Sequence, residues 1–266
     1  MQAELEFALK LADLAEAEIL PRYRRAAVER KADGSEVTEA DRAAEHAIRD
    51  AIATRYPDHG VLGEEFGEAA TDHRLSWVID PLDGTRWFAL GVPLFGTLIA
   101  LLENGDPVLG VIHMPVSGET VYARRGGGCW FRTRDAAPQR VSVTPGVELA
   151  TANVSASGLH ATALEPAPGH ADVPLERVIR DAGAFRFCGD CLQHSLVCRG
   201  VLHAAVDTIM APWDIAAIVP CIREAGGVAT TLAGQTDDLV NGGSLVTSSS
   251  PELHAEVLER LRPASG

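Results

Sequence analysis

Residues 77–88 read WVIDPLDGTRWF, and no other run constrains this chain as tightly. An apolar segment, Trp77-Val78-Ile79, is followed at once by two carboxylates around a proline, Asp80 and Asp83, and then by Gly84-Thr85. Charges placed directly after an apolar run must turn out to water or meet a cation, because an unpaired charge beside a core is costly. One reading is an ordinary strand-ending turn, where Asp is frequent and Asp-Gly is a common pair. The other is a metal corner. A proline-stiffened turn with aspartates at i and i+3 aims two carboxylates and an intervening carbonyl at one point, and a glycine leaves the following amides open to a phosphate oxygen. Hard divalent cations such as Mg²⁺ take such oxygens, completed by water and substrate phosphate.

Other acids stand in similar contexts. Glu64 and Glu65 close the apolar run VLGEE, and Asp214 opens the helical pattern PWDIAA. Each has a plain reading: Glu64 and Glu65 as a solvated strand end, Asp214 as a helix cap favoured by the dipole. Asp41 is likewise a first-turn acid, helpful to any helix. Several of these acids lie beside apolar strands, and together they favour the cation.

Around this corner the chain reads as alternating helices and strands. Apolar residues at 5, 9 and 12, flanked by 7, 11 and 14, predict a helix over about 3–20 that Pro21 ends. The stretch KADGSEVTEAD (31–41) is turn-rich, with Thr38 as N-cap and Asp41 completing a capping box. Ala44, Ile48 and Ile52 carry the helix onward to YPDHG. VLGEE, WVID, GTLIALL, VLGVIHM and ETVYAR read as strands, residues 160–175 as a loop, 201–206 as a strand and 214–227 as one helix with a glycine stop. SLVTSSS is a strand leading to a last helix with Ser250 as N-cap and Pro251 at its first position. This predicts a layered α/β or α+β protein.

Composition narrows the partners. With a formal net charge of −14, 5% aromatic residues and no long Lys/Arg cluster, neither nucleic acid nor an anionic membrane is a natural ligand. A phosphate ester needs a mediating cation. The first 20 residues are too acidic for a signal peptide, and no window has the run of about 18 uncharged apolar residues that a span needs. The five cysteines, 129, 188, 191, 198 and 221, are odd in number. Cys188-Gly-Asp-Cys191 has CxxC spacing but no second CxxC or His pair, so buried or loop thiols in a reducing cytoplasm are expected.

WVIDPLDGTRWF, LGEEFG, KADGSEVTEAD and PWDIAAIVPCIREAGG together resemble the inositol monophosphatase-like family of Mg²⁺-dependent phosphatases, over roughly residues 5–261 and in family order. The resemblance implies a layered α-β-α-β-α sandwich of the inositol monophosphatase/fructose-1,6-bisphosphatase type. Residues 1–150 would form an N-terminal α+β half carrying most metal ligands, and 151–266 a C-terminal α/β half carrying Asp214 and the substrate side. It makes Glu64, Asp80 and the carbonyl of Leu82 ligands of a first Mg²⁺, and Asp80, Asp83 and Asp214 ligands of a second. Glu64 would also touch a weaker third ion, with Mn²⁺ a substitute. Thr85 and Asp41 match the pair that orients and deprotonates the attacking water, and Gly84 and Thr85 supply amides to the phosphate. A homodimer is common among relatives.

Within the superfamily, HGVLGEEFG, GVPLFGTLIALLENGDPVLGVI and the GDC at 189–191 look most like bacterial histidinol-phosphatases of the inositol-monophosphatase type. Gly189, Asp190 and Cys191 would then line the alcohol side of the pocket, with Asp190 pairing a cationic amine or imidazole, or serving only as a loop acid. Asp207 stands where relatives carry a substrate-contacting Glu, a shorter side chain that puts that contact in question. His194 replaces a frequent Tyr and reads more simply as a packed helix residue. Arg86 and Trp87 shape the pocket rim or, for Trp87, the core. Inositol monophosphate is the alternative substrate. Fructose-1,6-bisphosphate and 3′-phosphoadenosine 5′-phosphate would need an added basic cluster, and none lies near these motifs. A non-catalytic metal- or phosphate-binding member would have lost a ligand or the Thr85–Asp41 pair, and all are present. The net charge argues against a two-metal nuclease.

Overall fold

The computed structural model describes residues 1–31, 34–68 and 73–263. Residues 32 and 33 of the turn-rich KADGSEVTEAD stretch lie outside the described residues.

The chain begins with helix α1 (Gln2–Ile19), the hairpin β1 (Val28–Arg30) and β2 (Glu36–Thr38), and helix α2 (Glu39–Arg55). α1 buries Leu5, Ala8, Leu11, Ala12, Ala15 and Ile19, a stripe at helical spacing in which alanines let α2 approach. Leu14, expected beside that stripe, is turned to solvent. α2 starts as predicted: Thr38 caps it and Asp41 completes the capping box.

Eight strands follow in one sheet: β3 (Gly60–Gly63), β4 (Gly67–Glu68), β5 (Leu75–Asp83), then the short helix α3 (Thr85–Ala89), β6 (Gly96–Glu103), β7 (Asp106–Met114), β8 (Glu119–Arg124), β9 (Cys129–Arg132) and β10 (Gln139–Val141). Their spatial order is β10-β9-β8-β7-β6-β5-β3-β4. The second half of the chain supplies β11 (Asn153–Ala156), α4 (Leu175–Asp181), β12 (Ala184–Phe187), α5 (Asp190–Cys198), β13 (Ala204–Asp207), α6 (Pro212–Ala216), α7 (Ile218–Glu224), β14 (Val228–Thr230), β15 (Leu245–Ser248) and α8 (Pro251–Leu261). These strands form a five-stranded sheet in the order β12-β11-β13-β15-β14.

Three apolar clusters turn the two sheets into five layers. Trp77, Ile79, Ile99, Leu109 and Val111 face α1 and α2. The alternate residues Val78, Leu98, Ala100 and Ile112 face α5–α7, which on their other side meet Ala205, Ala229 and Leu245 of the second sheet. Val154, Ala204, Val206 and Val246 then pack under α4 and α8. The period-2 alternation of each strand thus feeds two cores at once, giving the α-β-α-β-α sandwich. Among the described residues no helix is long and apolar enough to cross a membrane.

Three expectations are corrected. The strand expected over 201–206 begins only at Ala204 and runs to Asp207. The single helix expected over 214–227 is two, α6 and α7, because Pro220 has no N–H to give the carbonyl of Ala216. The carbonyl of Ala217 at the break points at β7, where a Cβ on Gly110 would stand 2.0 Å from it, so the break needs a glycine opposite. Finally, the corner DPLD is no turn after a strand: it lies inside β5 as a bulge.

Candidate active site

That bulge gathers the two aspartates. In a regular strand positions 80 and 83 would point to opposite faces. Here Asp80 pairs with Leu98 and Asp83 with Gly96, so three steps along β5 oppose two along β6. The extra residue brings Asp83 to the same face as Asp80, toward the middle helices. Asp214 arrives from α6, where its Oδ2 accepts the Ala211 N–H at 2.7 Å. It is not the N-cap expected from the sequence, which is Ala211; from the third position of α6 it accepts the N-cap amide and also joins the site. Ligand oxygens of Asp80, Asp83 and Asp214 all lie within 4.8 Å of one another. Asp80 Oδ1 also accepts the Leu82 N–H at 3.0 Å, and Asp83 Oδ2 accepts the Cys191 N–H at 2.6 Å.

The electrostatics of this cluster ask for a cation. Burial, then the carboxylates of Glu64, Asp83 and Asp214, hold Asp80 well above the usual carboxylate range. Burial, then Asp190 and Asp214, do the same to Asp83. Burial pushes Asp214 up to about 6 against its cap hydrogen bond. Desolvation and mutual repulsion both penalise the charged forms, and a divalent cation reverses both. An all-oxygen donor set of carboxylates suits Mg²⁺ or Mn²⁺, so the residues present fit such an ion.

Beside the cluster, Thr85 Oγ1 donates 3.0 Å to Asp41 Oδ1, with the Leu82 carbonyl at 3.1 Å. Asp41 Oδ2 accepts from Thr38 N at 2.8 Å and from Thr38 Oγ1 at 2.5 Å. The capping box thus locks one carboxylate oxygen and leaves the other for Thr85. Burial raises Asp41 above its usual value despite these donors. Gly84 precedes Thr85 with φ of 85°, and a Cβ there would meet Asp190 Oδ2 at 2.7 Å. Glycine is required on both counts.

Glu64 is placed differently from the three aspartates. Its Oε1 lies 3.0 Å from Lys31 Nζ, which also bonds Glu65 Oε1 at 2.7 Å. Burial raises Glu64 even so, and lifts Glu65 to about 7. Glu64 acts electrostatically on Asp80 without standing in the three-carboxylate group. Sequence reasoning missed what holds this turn. Glu45, fully buried one helical turn after Asp41, accepts from Glu65 N at 2.8 Å and Phe66 N at 3.3 Å. It is bonded in turn by Arg49 Nε at 2.7 Å. The available signal was an acid continuing the apolar face Ala44–Ile48.

In the segment expected to line the alcohol side, Gly189 is the N-cap residue of α5, and Asp190 takes a left-handed backbone with φ of 38°. Its carboxylate packs on Gly84 beside the Trp87 indole, and burial, then Asp207 and Asp214, raise it to about 7. A non-glycine residue held at positive φ carries a modest strain, least for Asp and Asn, of the kind that collects at functional sites. Trp87 is partly buried and Arg86 exposed. Cys191 enters through its backbone amide, its thiol being buried against Met114. Among the described residues the CxxC cysteines join no group able to hold a metal. Asp207 and His194 are bonded to each other at 2.6 Å.

Comparison with known proteins agrees with this geometry. The sequence model described as the inositol monophosphatase family matches residues 1–265. The chain is 40% identical over 256 residues to a histidinol-phosphatase of Chlorobaculum parvum, covering 94% of this chain and 93% of the relative. It is 38% identical to a histidinol-phosphatase of Mycobacterium tuberculosis, covering 97% of each, and 33% identical to an inositol-1-monophosphatase of Caulobacter vibrioides, covering 89% and 91%. The crystal structure of the extragenic suppressor protein suhB from Bartonella henselae superposes with a TM-score of 0.86 at 27% identity, covering 99% of this chain and 100% of that one.

Proposed function

Because this chain belongs to the inositol monophosphatase family, we propose that it is a Mg²⁺-dependent histidinol-phosphatase, converting L-histidinol phosphate and water to L-histidinol and phosphate. The observation that carries the hydrolytic reading is the convergence of Asp80, Asp83 and Asp214 beside the Thr85–Asp41 pair. The substrate reading is supported by the relatives at 38–40% identity and by the acids Asp190 and Asp207 on the alcohol side.

Asp80, Asp83 and Asp214 would hold Mg²⁺, with Glu64 available once it leaves Lys31. When bound, such ions neutralise phosphate charge and acidify water. The remaining work falls to the protein. Asp41 Oδ1 accepts a hydrogen bond from the Thr85 hydroxyl, so the Thr85 oxygen can accept one from the attacking water and fix its direction. Asp41, made more basic by burial, receives the proton that the water loses through Thr85. Gly84 and Thr85 offer their amides to the phosphate, and Asp190 faces the departing alkoxide, which takes up a proton from solvent to leave as the alcohol. No residue need be phosphorylated for this displacement.

The inositol phosphate reading is kept alive by the relative of that name at 33% identity, and the two acids on the alcohol side disfavour it, since inositol has no positive group for them. The test is phosphate release from histidinol phosphate, inositol 1-phosphate, fructose 1,6-bisphosphate and 3′-phosphoadenosine 5′-phosphate, with Mg²⁺ and with EDTA. Histidinol phosphate should give the highest kcat/KM, and EDTA should abolish turnover. A higher kcat/KM for any other ester rejects the substrate assignment, and full turnover in EDTA rejects the metal.

A further inference from the structure

Helix α5 carries more than the Asp190–Cys191 corner. Gln193 Nε2 donates to Asp207 Oδ2 at 2.7 Å, and His194 Nε2 meets the same oxygen at 2.6 Å. The other ring nitrogen of His194 lies 2.9 Å from Thr247 Oγ1 on β15. Gln193 and His194 are fully buried and Asp207 keeps 3% of its surface. One oxygen of Asp207 is thus pinned twice, while among the described residues no donor reaches Oδ1. Gln193 Oε1 is sealed without a partner, whereas Asp207 Oδ1 keeps part of the small exposure of its residue.

This arrangement is expensive for a core. A buried carboxylate–imidazole pair gains little over apolar packing, and an orphaned amide oxygen keeps its full desolvation penalty. What it supplies is geometry. Asp207 ends β13 on a short side chain, and its charge acts on Asp190 and Asp214. α5 therefore ties three points together: Asp83 through the Cys191 amide, the strained Asp190, and Asp207 through Gln193 and His194.

We propose that His194 is a positioning residue for substrate selection: braced by Thr247, it fixes Asp207 so that Oδ1 stands with the Asp190 carboxylate as a two-acid seat for the positively charged part of the leaving alcohol. The ligand class is the phosphate monoester of an amino alcohol bearing a second basic nitrogen. The inference rests on the histidinol phosphate reading and adds to it the residue that holds the selecting charge in place. Charge-assisted hydrogen bonds to a pinned carboxylate are the stronger kind, and the unpinned side chain would lose that advantage by rotating.

The experiment compares wild type, His194→Phe, His194→Gln and Thr247→Val. For each, kcat and KM are measured with histidinol phosphate and with inositol 1-phosphate, and the Kd of L-histidinol by calorimetry. His194→Phe keeps bulk and loses both hydrogen bonds. It should lower the ratio of kcat/KM values, histidinol phosphate over inositol phosphate, by about tenfold, chiefly through KM, and weaken L-histidinol by a similar factor. His194→Gln, which keeps a donor for Asp207, should recover most of the ratio. Thr247→Val, the milder variant should His194→Phe fail to fold, should shift the ratio the same way by a smaller factor. A wild type without preference for histidinol phosphate overturns the substrate reading and this inference with it. A wild type with that preference, and folded variants that keep its ratio and its L-histidinol affinity, overturns the inference alone.

Discussion

The backbone N–H of Cys191 donates to Asp83 Oδ2 at 2.6 Å, across 108 residues of sequence. One end of α5, a helix of the C-terminal half, thereby fixes a carboxylate that stands on a bulge of the first sheet. Asp83 consequently answers to two partners, the cation its neighbours call for and the helix that carries Asp190.

Asp83→Asn separates these two. The amide oxygen still accepts from Cys191, while the charge for a cation is gone. Turnover should fall by about a thousandfold, since a metal ion contributes several kcal/mol to charge stabilisation. Calorimetric Mg²⁺ affinity should fall with it. Removing one of several crowded carboxylates should leave the metal-free fold intact and raise its Tm by a few degrees, on the order of 1 kcal/mol. Near-normal turnover in the folded variant would remove Asp83 from the metal site.

The same crowding makes the metal-free protein sensitive to pH. Asp80 and Asp83 are held well above the usual carboxylate range, Asp190 and Glu65 at about 7 and Asp214 at about 6. Each binds its proton more tightly folded than unfolded, so its contribution is complete below the unfolded value near 4 and is lost as pH rises through the folded value. His254 runs the other way. Burial lowers it to about 4, so its contribution is lost as pH falls from 6.5 toward 4. Cys129, lowered to about 5 by hydrogen bonds to Cys198 and Cys221, gains stability as pH rises and so opposes the carboxylates here. The several raised carboxylates outweigh this one thiol, and Tm in EDTA should drop between pH 6.5 and 8. Saturating Mg²⁺ should remove the drop, because the bound ion replaces the protons. An EDTA-treated protein whose Tm is flat from pH 6.5 to 8 would contradict this account.

Glu45→Ala tests the support under the acidic turn. Glu45 accepts two backbone amides at 65 and 66 and pairs with Arg49. Its loss leaves two amides without their acceptor and the largely buried Arg49 guanidinium without its carboxylate, held by the Gly67 carbonyl. The expected cost is on the order of 3 kcal/mol, read as a lower midpoint in urea unfolding. Mg²⁺ affinity should also weaken as the Glu64–Glu65 turn loosens. An unchanged midpoint would show that water replaces Glu45 without loss.

How far the sequence revealed this site depends on the range of the interaction. Thr38 with Asp41, and Ser250 with Pro251, are local pairings set by helix geometry, and both are found as read. The DPLDGT motif points to the reaction, but its spacing alone does not fix its shape. Aspartates at i and i+3 share a face in a turn and also across a bulge, and only the partner strand β6 distinguishes the two. Pro220 did signal the break between α6 and α7, although the apolar period across 214–227 masked it. Glu45, Lys31 and the His194–Asp207 bond had no comparable local sign. Apart from Arg49, four residues after Glu45, the partners lie 13 or more residues away, and a buried acid looks the same in sequence as a solvated one until its donors are placed.

Thr85 offers the sharpest separation of water positioning from metal binding. Its hydroxyl donates to Asp41 Oδ1 and lies beside the Leu82 carbonyl, and it carries no charge for a cation. Thr85→Val preserves shape and removes only the hydroxyl. General acid–base contributions of this kind are worth about 10²–10⁴-fold, so kcat should fall by at least the lower figure. Mg²⁺ affinity by calorimetry should stay within about twofold of wild type. Thr85→Ser retains the oxygen and should keep most of the rate, losing only the rotamer restriction of the β-branched side chain. If Thr85→Val turns over as fast as Thr85→Ser, the proton held between Thr85 and Asp41 has no part in the reaction. Asp41 would then be left as a helix cap, its other oxygen bonded only to a bystander.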